Sequence, residues 1–203
     1  QDSSIAIYEL ARSLYEGLSQ ELNYNVMFSP RGVLMLCQTE HELRAFKRTA
    51  HANRLANHRL HHAMAALPDA EYHAPRVGFF PSLAATLNHI LAVDAYYIGA
   101  LQAEPGLPQQ DAAFTPAATL AELAARQRAS DERLIAWCAA LTDAGCDAIV
   151  DMDRGSHVQR DRAAHVLAHL FMHQTHHRGQ AHAMLSATAV APPQLDEFLM
   201  PSD

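Results

Sequence analysis

Residues 160–185 read RDRAAHVLAHLFMHQTHHRGQAHAML and carry four histidines at steps of four: His165, His169, His173 and His177. In an α-helix a step of four turns the side chain about 40° past a full turn and climbs roughly 6 Å. Neighbouring rungs can therefore reach one ion, whereas the outer pair lie about 120° apart and cannot. Two adjacent rungs are the natural unit, and a third ligand has to come from another helix. Neutral imidazole suits Zn, Ni, Fe and Cu. The chain has 14 histidines in 203 residues, so one pair at this spacing could arise by chance. Gly179, two residues beyond His177, adds weight: glycine inside a helix costs about 1 kcal/mol relative to alanine. Its presence predicts close packing against a neighbouring backbone.

The elements that must position these residues follow from apolar periodicity. Ala164, Leu167, Phe171 and Met184 recur at helical spacing without a proline, which predicts one long helix. Residues 41–67 form a second helix with Leu43, Phe46, Ala56, Leu60, Ala63 and Leu67 inward, stopped at Pro68. His58, His61 and His62 fall on its solvated face. A third helix starts at Pro81-Ser82 and runs to about Leu101, with Leu83, Leu87, Ile90 or Leu91, and Ile98 as its core face. His89 lies among small and apolar residues of that helix, as a core histidine or as a ligand. Residues 105–115 read as a loop. Thr115-Pro116 opens a fourth helix, through Trp137 to about Asp143, ending at Gly145. Residues 146–157 read as a loop in which 148–150 add a short extended piece. Asp147, Asp151 and Asp153 there lack the spacing of a calcium loop.

His173-Gln-Thr-His-His177-Arg-Gly-Gln180 resembles the signature of the DinB-like (YfiT-like, damage-inducible) metal-binding four-helix bundles. Leu87-Asn88-His89-Ile90-Leu91 followed by Asp94 is similar to the Asn-His pair of that family's second helix. Asn53, Ala56 and Asn57 fit its first-helix pattern, while Ala52 and Leu55 stand where aromatic residues are usual. The resemblance covers roughly residues 40–203, including the closing Pro192-Pro193-Gln194-Leu195-Asp196. It implies an all-α fold, a four-helix bundle of up-down-down-up type spanning 39–203, with metal ligands His89, His173 and His177. Asp94, Tyr96, His169, Arg178 and Gln180 are the supporting or pocket candidates. Asp94 could orient a ligand histidine or bind Arg178; Tyr96 and Tyr97 could line a pocket or pack in the core.

Three histidines with open positions are the pattern of a catalytic metal site, since structural zinc is usually enclosed by four protein ligands. The expected cofactor is a divalent ion, Zn or Ni first, with Fe, Mn and Cu as further candidates. The resemblance implies a metal-dependent transferase or hydrolase that activates a thiol or water against a small electrophile. No Glu or Asp general base stands beside the motif, which keeps open a non-catalytic metal-binding or stress-response protein. The expected partners are a small molecule, including a low-molecular-weight thiol, and a second copy of the chain in a homodimer.

Composition bounds the rest. Net charge is −7 with histidines neutral, which argues against a nucleic-acid surface. No apolar run reaches membrane-span length. Cys37, Cys138 and Cys146 are odd in number and form no C-x-x-C, so a reducing, cytoplasmic location is expected. Cys138 reads as core, and Cys146 as a structural residue or a reactive thiol near a loop. Lys47 is the only lysine among many Ala and Arg, which fits a bacterial coding style.

Residues 1–38 differ in character. Ile7, Leu10, Leu14 and Leu18 make an amphipathic helix that Ser3 or Ser4 could cap. Leu14-Tyr15 and then Asn25-Val-Met-Phe-Ser-Pro30 resemble the opening of a serpin. A serpin needs a large sheet and a reactive loop, so no inhibitor function is assigned, and the segment reads as an N-terminal extension or fusion remnant. The chain begins with Gln rather than Met, and further sequence upstream is expected.

Overall fold

The computed structural model describes residues 40–196, with side chains from residue 45 onward. The expectations for 1–38, for Leu43 and for 197–203 lie outside the described residues. Four long helices dominate: α1 (Glu40–Met64), α3 (Leu83–Leu101), α5 (Leu120–Ala140) and α7 (Ala163–Leu185). Between them lie three short helices, α2 (Asp69–His73), α4 (Leu107–Ala112) and α6 (Asp143–Asp147). Strands β1 (Ile149–Asp153) and β2 (Val158–Arg162) form an antiparallel hairpin with Ile149 opposite Arg162 and Asp153 opposite Val158. The long helices pack in the cyclic order α1–α5–α3–α7. Among the described residues no helix is long and apolar enough to cross a membrane.

The apolar core is in two pieces. One gathers Phe46 of α1, Ile98 of α3, Leu134 of α5 and Leu167, Leu170 and Phe171 of α7. The other gathers Leu60 and Met64, Leu83 and Leu87, Leu123, and Met184 and Leu185. Thus α1 and α7 run from the first piece to the second while α3 and α5 run the opposite way. This is the up-down-down-up arrangement of an all-α bundle.

A buried polar layer separates the two pieces. Arg178 Nη1 donates to Asn53 Oδ1 at 2.7 Å, Asn57 Oδ1 at 2.9 Å and Gln174 Oε1 at 3.3 Å. Asn53 and Asn57 donate in turn to the Asp131 carboxylate at 3.2 and 3.0 Å. Gln127 donates to Asp94 Oδ2 at 2.7 Å and to Asp131 Oδ1 at 3.4 Å. Gln174 also donates to Asp94 Oδ2, which closes a ring through all four long helices. Burial pushes Asp94 well above the ordinary aspartate range and Asp131 up to about 6, against the pull of their hydrogen bonds and of Arg178.

Helix boundaries follow local chemistry. Ser82 Oγ accepts from Ala85 N at 3.1 Å and caps α3, as its sequence suggests. Helix α5 starts at Leu120, not at Thr115-Pro116. The reason is tertiary: Asn88 Oδ1 accepts from Ala117 N at 2.7 Å and Nδ2 donates to Ala117 O at 3.1 Å, which holds that backbone out of the helix. Thr119 then caps it, accepting from Glu122 N. It ends at Ala140, and Gly145 lies inside α6. The expected loops at 69–80 and 105–115 contain α2 and α4, and residues 146–157 run into the hairpin. Arg160 belongs to β2, so the histidine helix begins at Ala163. His61 is buried rather than solvated, and desolvation lowers it to about 4. Cys138 and Cys146 are both buried, which favours the structural reading of Cys146. The tail to Asp196 packs back, with Arg59 Nη1 donating to Asp196 O at 3.3 Å.

Removing one member of a buried charged network costs about 3–5 kcal/mol, because its partners keep their desolvation penalty. Arg178→Met is therefore expected to lower the urea midpoint of the metal-free protein by an amount on that scale. A carboxyl whose folded-state pKa is raised contributes stability below its ordinary value, and that contribution is lost as pH rises through the folded value. Going from pH 4 to 6, wild type is thus expected to lose stability relative to Asp131→Asn, measured as the difference between their denaturation midpoints.

Candidate metal centre

The site lies on the seam between α3 and α7, directly outside the polar layer. Each of His173 and His177 precedes a layer residue, Gln174 and Arg178, by one position. Adjacent helical residues point about 100° apart. Once Gln174 and Arg178 are tied inward, the two histidines must face α3. His89 comes from α3 to meet them, five residues before Asp94.

The three imidazoles each offer one nitrogen, all within 4.8 Å of one another. His89 Nε2 and His173 Nε2 are 2.9 Å apart. On a tetrahedral ion with bonds near 2.05 Å, two nitrogens would stand about 3.3 Å apart, so this pair would open by a few tenths of an ångström to share one. His177 Nδ1–H donates to Gln180 Oε1 at 2.8 Å, which leaves its Nε2 lone pair for an ion. Gln180 is itself held on the other side by its Nε2, 3.2 Å from His176 Nε2. His173 Nδ1 is buried with no partner. Desolvation holds His89 and His177 below the ordinary histidine range and His173 down to about 4, so all three are neutral at pH 7. Neutral, mutually facing imidazoles fit a borderline divalent ion. Phe80 covers the cluster, its ring 4.4 Å from that of His89 and 5.5 Å from that of His177.

The supporting candidates separate into different roles. Gln180 is the residue that orients His177. Asp94 does not: it is bonded to Gln127 and Gln174 and reaches Arg178 only through Gln174. Arg178 belongs to the polar layer and does not line the site. His169 is exposed with its ring 6.2 Å from that of His173, outside the cluster. Tyr96 donates from its hydroxyl to Asp153 O at 2.6 Å and lines a neighbouring cavity with Tyr97 and His169. Gly179 has nothing within 4 Å of where a Cβ would stand, so the expected close backbone approach is absent. The sequence reading passed over Gln127, Asp131, Gln174 and Phe80. The first three, with Asn53, Asn57 and Arg178, form three polar pairs at spacing four on otherwise apolar faces, a legible signal. Phe80 left none.

The DinB family model matches residues 39–202. This chain belongs to the DinB family. Two curated proteins share shorter stretches. A sarcosine oxidase subunit beta of Rhodobacter capsulatus is 75% identical over 57 residues, 28% of this chain and 14% of that protein. A sarcosine oxidase subunit beta of Rhizobium meliloti is 46% identical over 48 residues, 24% of this chain and 12% of that protein. The chain thus spans about an eighth of the length of these curated relatives, and the oxidase name describes those proteins.

Gln180→Leu removes the acceptor that fixes the His177 tautomer. Loss of such a partner typically weakens metal binding about 10- to 100-fold. Competition with a chromophoric chelator is expected to show that loss for zinc while the circular dichroism spectrum stays unchanged.

Proposed function

We propose that this DinB-family chain is a metal-dependent enzyme of the thiol S-transferase or hydrolase type, acting on a small electrophilic substrate. His89, His173 and His177 are the ligands of this reading, and the ion is Zn or Ni in the first place, then Fe, Mn or Cu. The observation that supports it best is the convergence of three neutral imidazoles from two helices, with no fourth His, Cys, Asp or Glu grouped with them among the described residues. Three-ligand sites leave positions for water or substrate. A divalent ion there would ionise a bound thiol or lower the pKa of a bound water.

The chain's own residues do the rest. Gln180 keeps His177 in the tautomer that presents Nε2. The rigid α3–α7 seam holds the three nitrogens together, and Phe80 keeps bulk water off one side. The cluster contains no Asp or Glu among the described residues to act as a general base. That favours a thiol over water as nucleophile, because a thiol within reach of a divalent cation loses its proton without a base. The same lack supports a second reading, a non-catalytic metal-binding or stress-response protein. The working unit is a cytoplasmic homodimer whose partner is a small molecule, including a low-molecular-weight thiol.

Metal content by mass spectrometry on untagged protein tests the reading. Wild type is expected to carry about one divalent ion per chain and His173→Ala almost none, as a three-ligand site implies. No bound metal after reconstitution sinks both readings. Bound metal without turnover of electrophiles, with either thiols or water, leaves the non-catalytic one.

A further inference from the structure

We propose that a second site beside the metal centre binds an amino-carboxylate, with Arg154 taking the carboxylate and Asp111 the ammonium group. The inference rests on the proposed function, for which it names the substrate class. A cavity of about 220 Å³ is lined by Val93, Tyr96 and Tyr97 of α3, Asp111 of α4, Arg154 of the hairpin, and His169 and His173 of α7. His173 thus belongs both to the histidine cluster and to this wall, so a molecule held here lies against one of the three imidazoles.

Arg154 is arranged as an anion receptor. Its guanidinium lies 4.6 Å from the Tyr96 ring centroid and 5.3 Å from that of Tyr97. Stacking on aromatic faces holds the fork flat without neutralising it. Nη2 donates to Tyr97 Oη at 3.0 Å and to Gln159 Oε1 at 3.1 Å, which fixes one edge. Nη1 has no partner. Among the described residues no carboxylate pairs with Arg154; its chain neighbour Asp153 instead accepts from Gly155 N at 2.8 Å. A half-buried guanidinium without a counter-ion is a place for a planar anion. Asp111 of α4, an exposed residue, lines the same cavity, and among the described residues its carboxylate has no ion pair either. A simple anion would meet repulsion from Asp111, and a simple amine repulsion from Arg154. A molecule carrying both charges satisfies both walls, with the apolar remainder against Val93 and the tyrosine rings.

Three probes with a common isopropyl group test this: L-valine, isovalerate, which lacks its amino group, and isobutylamine, which lacks its carboxylate. Binding is read by ligand-observed NMR on metal-free and on zinc-loaded protein, with zinc content measured separately. L-valine is expected to bind more tightly than either half-molecule. Arg154→Gln is expected to weaken L-valine and isovalerate about tenfold or more, the scale of one charge-assisted hydrogen bond. Asp111→Asn is expected to weaken L-valine and isobutylamine and, by removing a like charge, to strengthen isovalerate. Both variants keep the wild-type zinc content. L-valine that fails to bind, or binds Arg154→Gln as well as wild type, overturns the proposal. A protein that takes no zinc yet shows the full probe pattern overturns the metal reading and leaves this site standing.

Discussion

The bundle depends on the buried position of Arg178. Its guanidinium sits between two apolar core segments, and desolvation lowers its pKa to about 10. A charge there is tolerable only if every neighbour answers it. Asn53, Asn57 and Gln174 accept from it; the two asparagines in turn donate to Asp131 and Gln174 to Asp94 Oδ2. Each long helix contributes at least one member. Apolar seams alone would tolerate a slip by one turn. With this layer, a slip would push an arginine and two aspartates into hydrocarbon, at several kcal/mol per ion. The layer therefore selects one register for four helices.

That register is what brings the three histidines together. His173 and His177 have no say in which way α7 faces; Gln174 and Arg178 decide it. The same holds on α3, where Asp94 is anchored inward and His89 lies on the outer seam. Asn88 adds a further constraint by pinning the backbone at Ala117, which sets where α5 begins. The residue types of the Asn-His and His-Arg-Gly-Gln motifs thus divide the labour. The histidines supply the chemistry, and their neighbours supply its geometry.

Much of this was legible in the sequence. The four long helices follow from apolar spacing, and the histidines that meet were named from a helical step of four plus a family resemblance. The ladder alone would not have told His169 from His177, because spacing gives angles on one helix and not the position of the next. The start of α5 was misread because Thr115-Pro116 has good capping chemistry, and only a distant amide at Asn88 overrules it. Gly179 was misread because helix propensity reports a cost without saying what offsets it. The hairpin was nearly invisible: Val158-Gln-Arg-Asp-Arg162 is mostly polar, with an exposed or half-buried face throughout. Its partner Ile149-Val-Asp-Met-Asp153 alternates, but over five residues only.

The hairpin also differs from the bundle in how freely it can change. It ends at Arg162 and α7 begins at the next residue, with Ala163 N donating to Ala148 O at 2.9 Å across its base. Val150 and Met152 of β1 pack into the first core segment, while none of the hairpin enters the polar layer. Its tip can therefore be lengthened, shortened or recharged without disturbing the register of the four helices. In a lineage of such proteins, the nitrogen cluster and the tip are separable units of inheritance: one fixed by folding, the other open to drift.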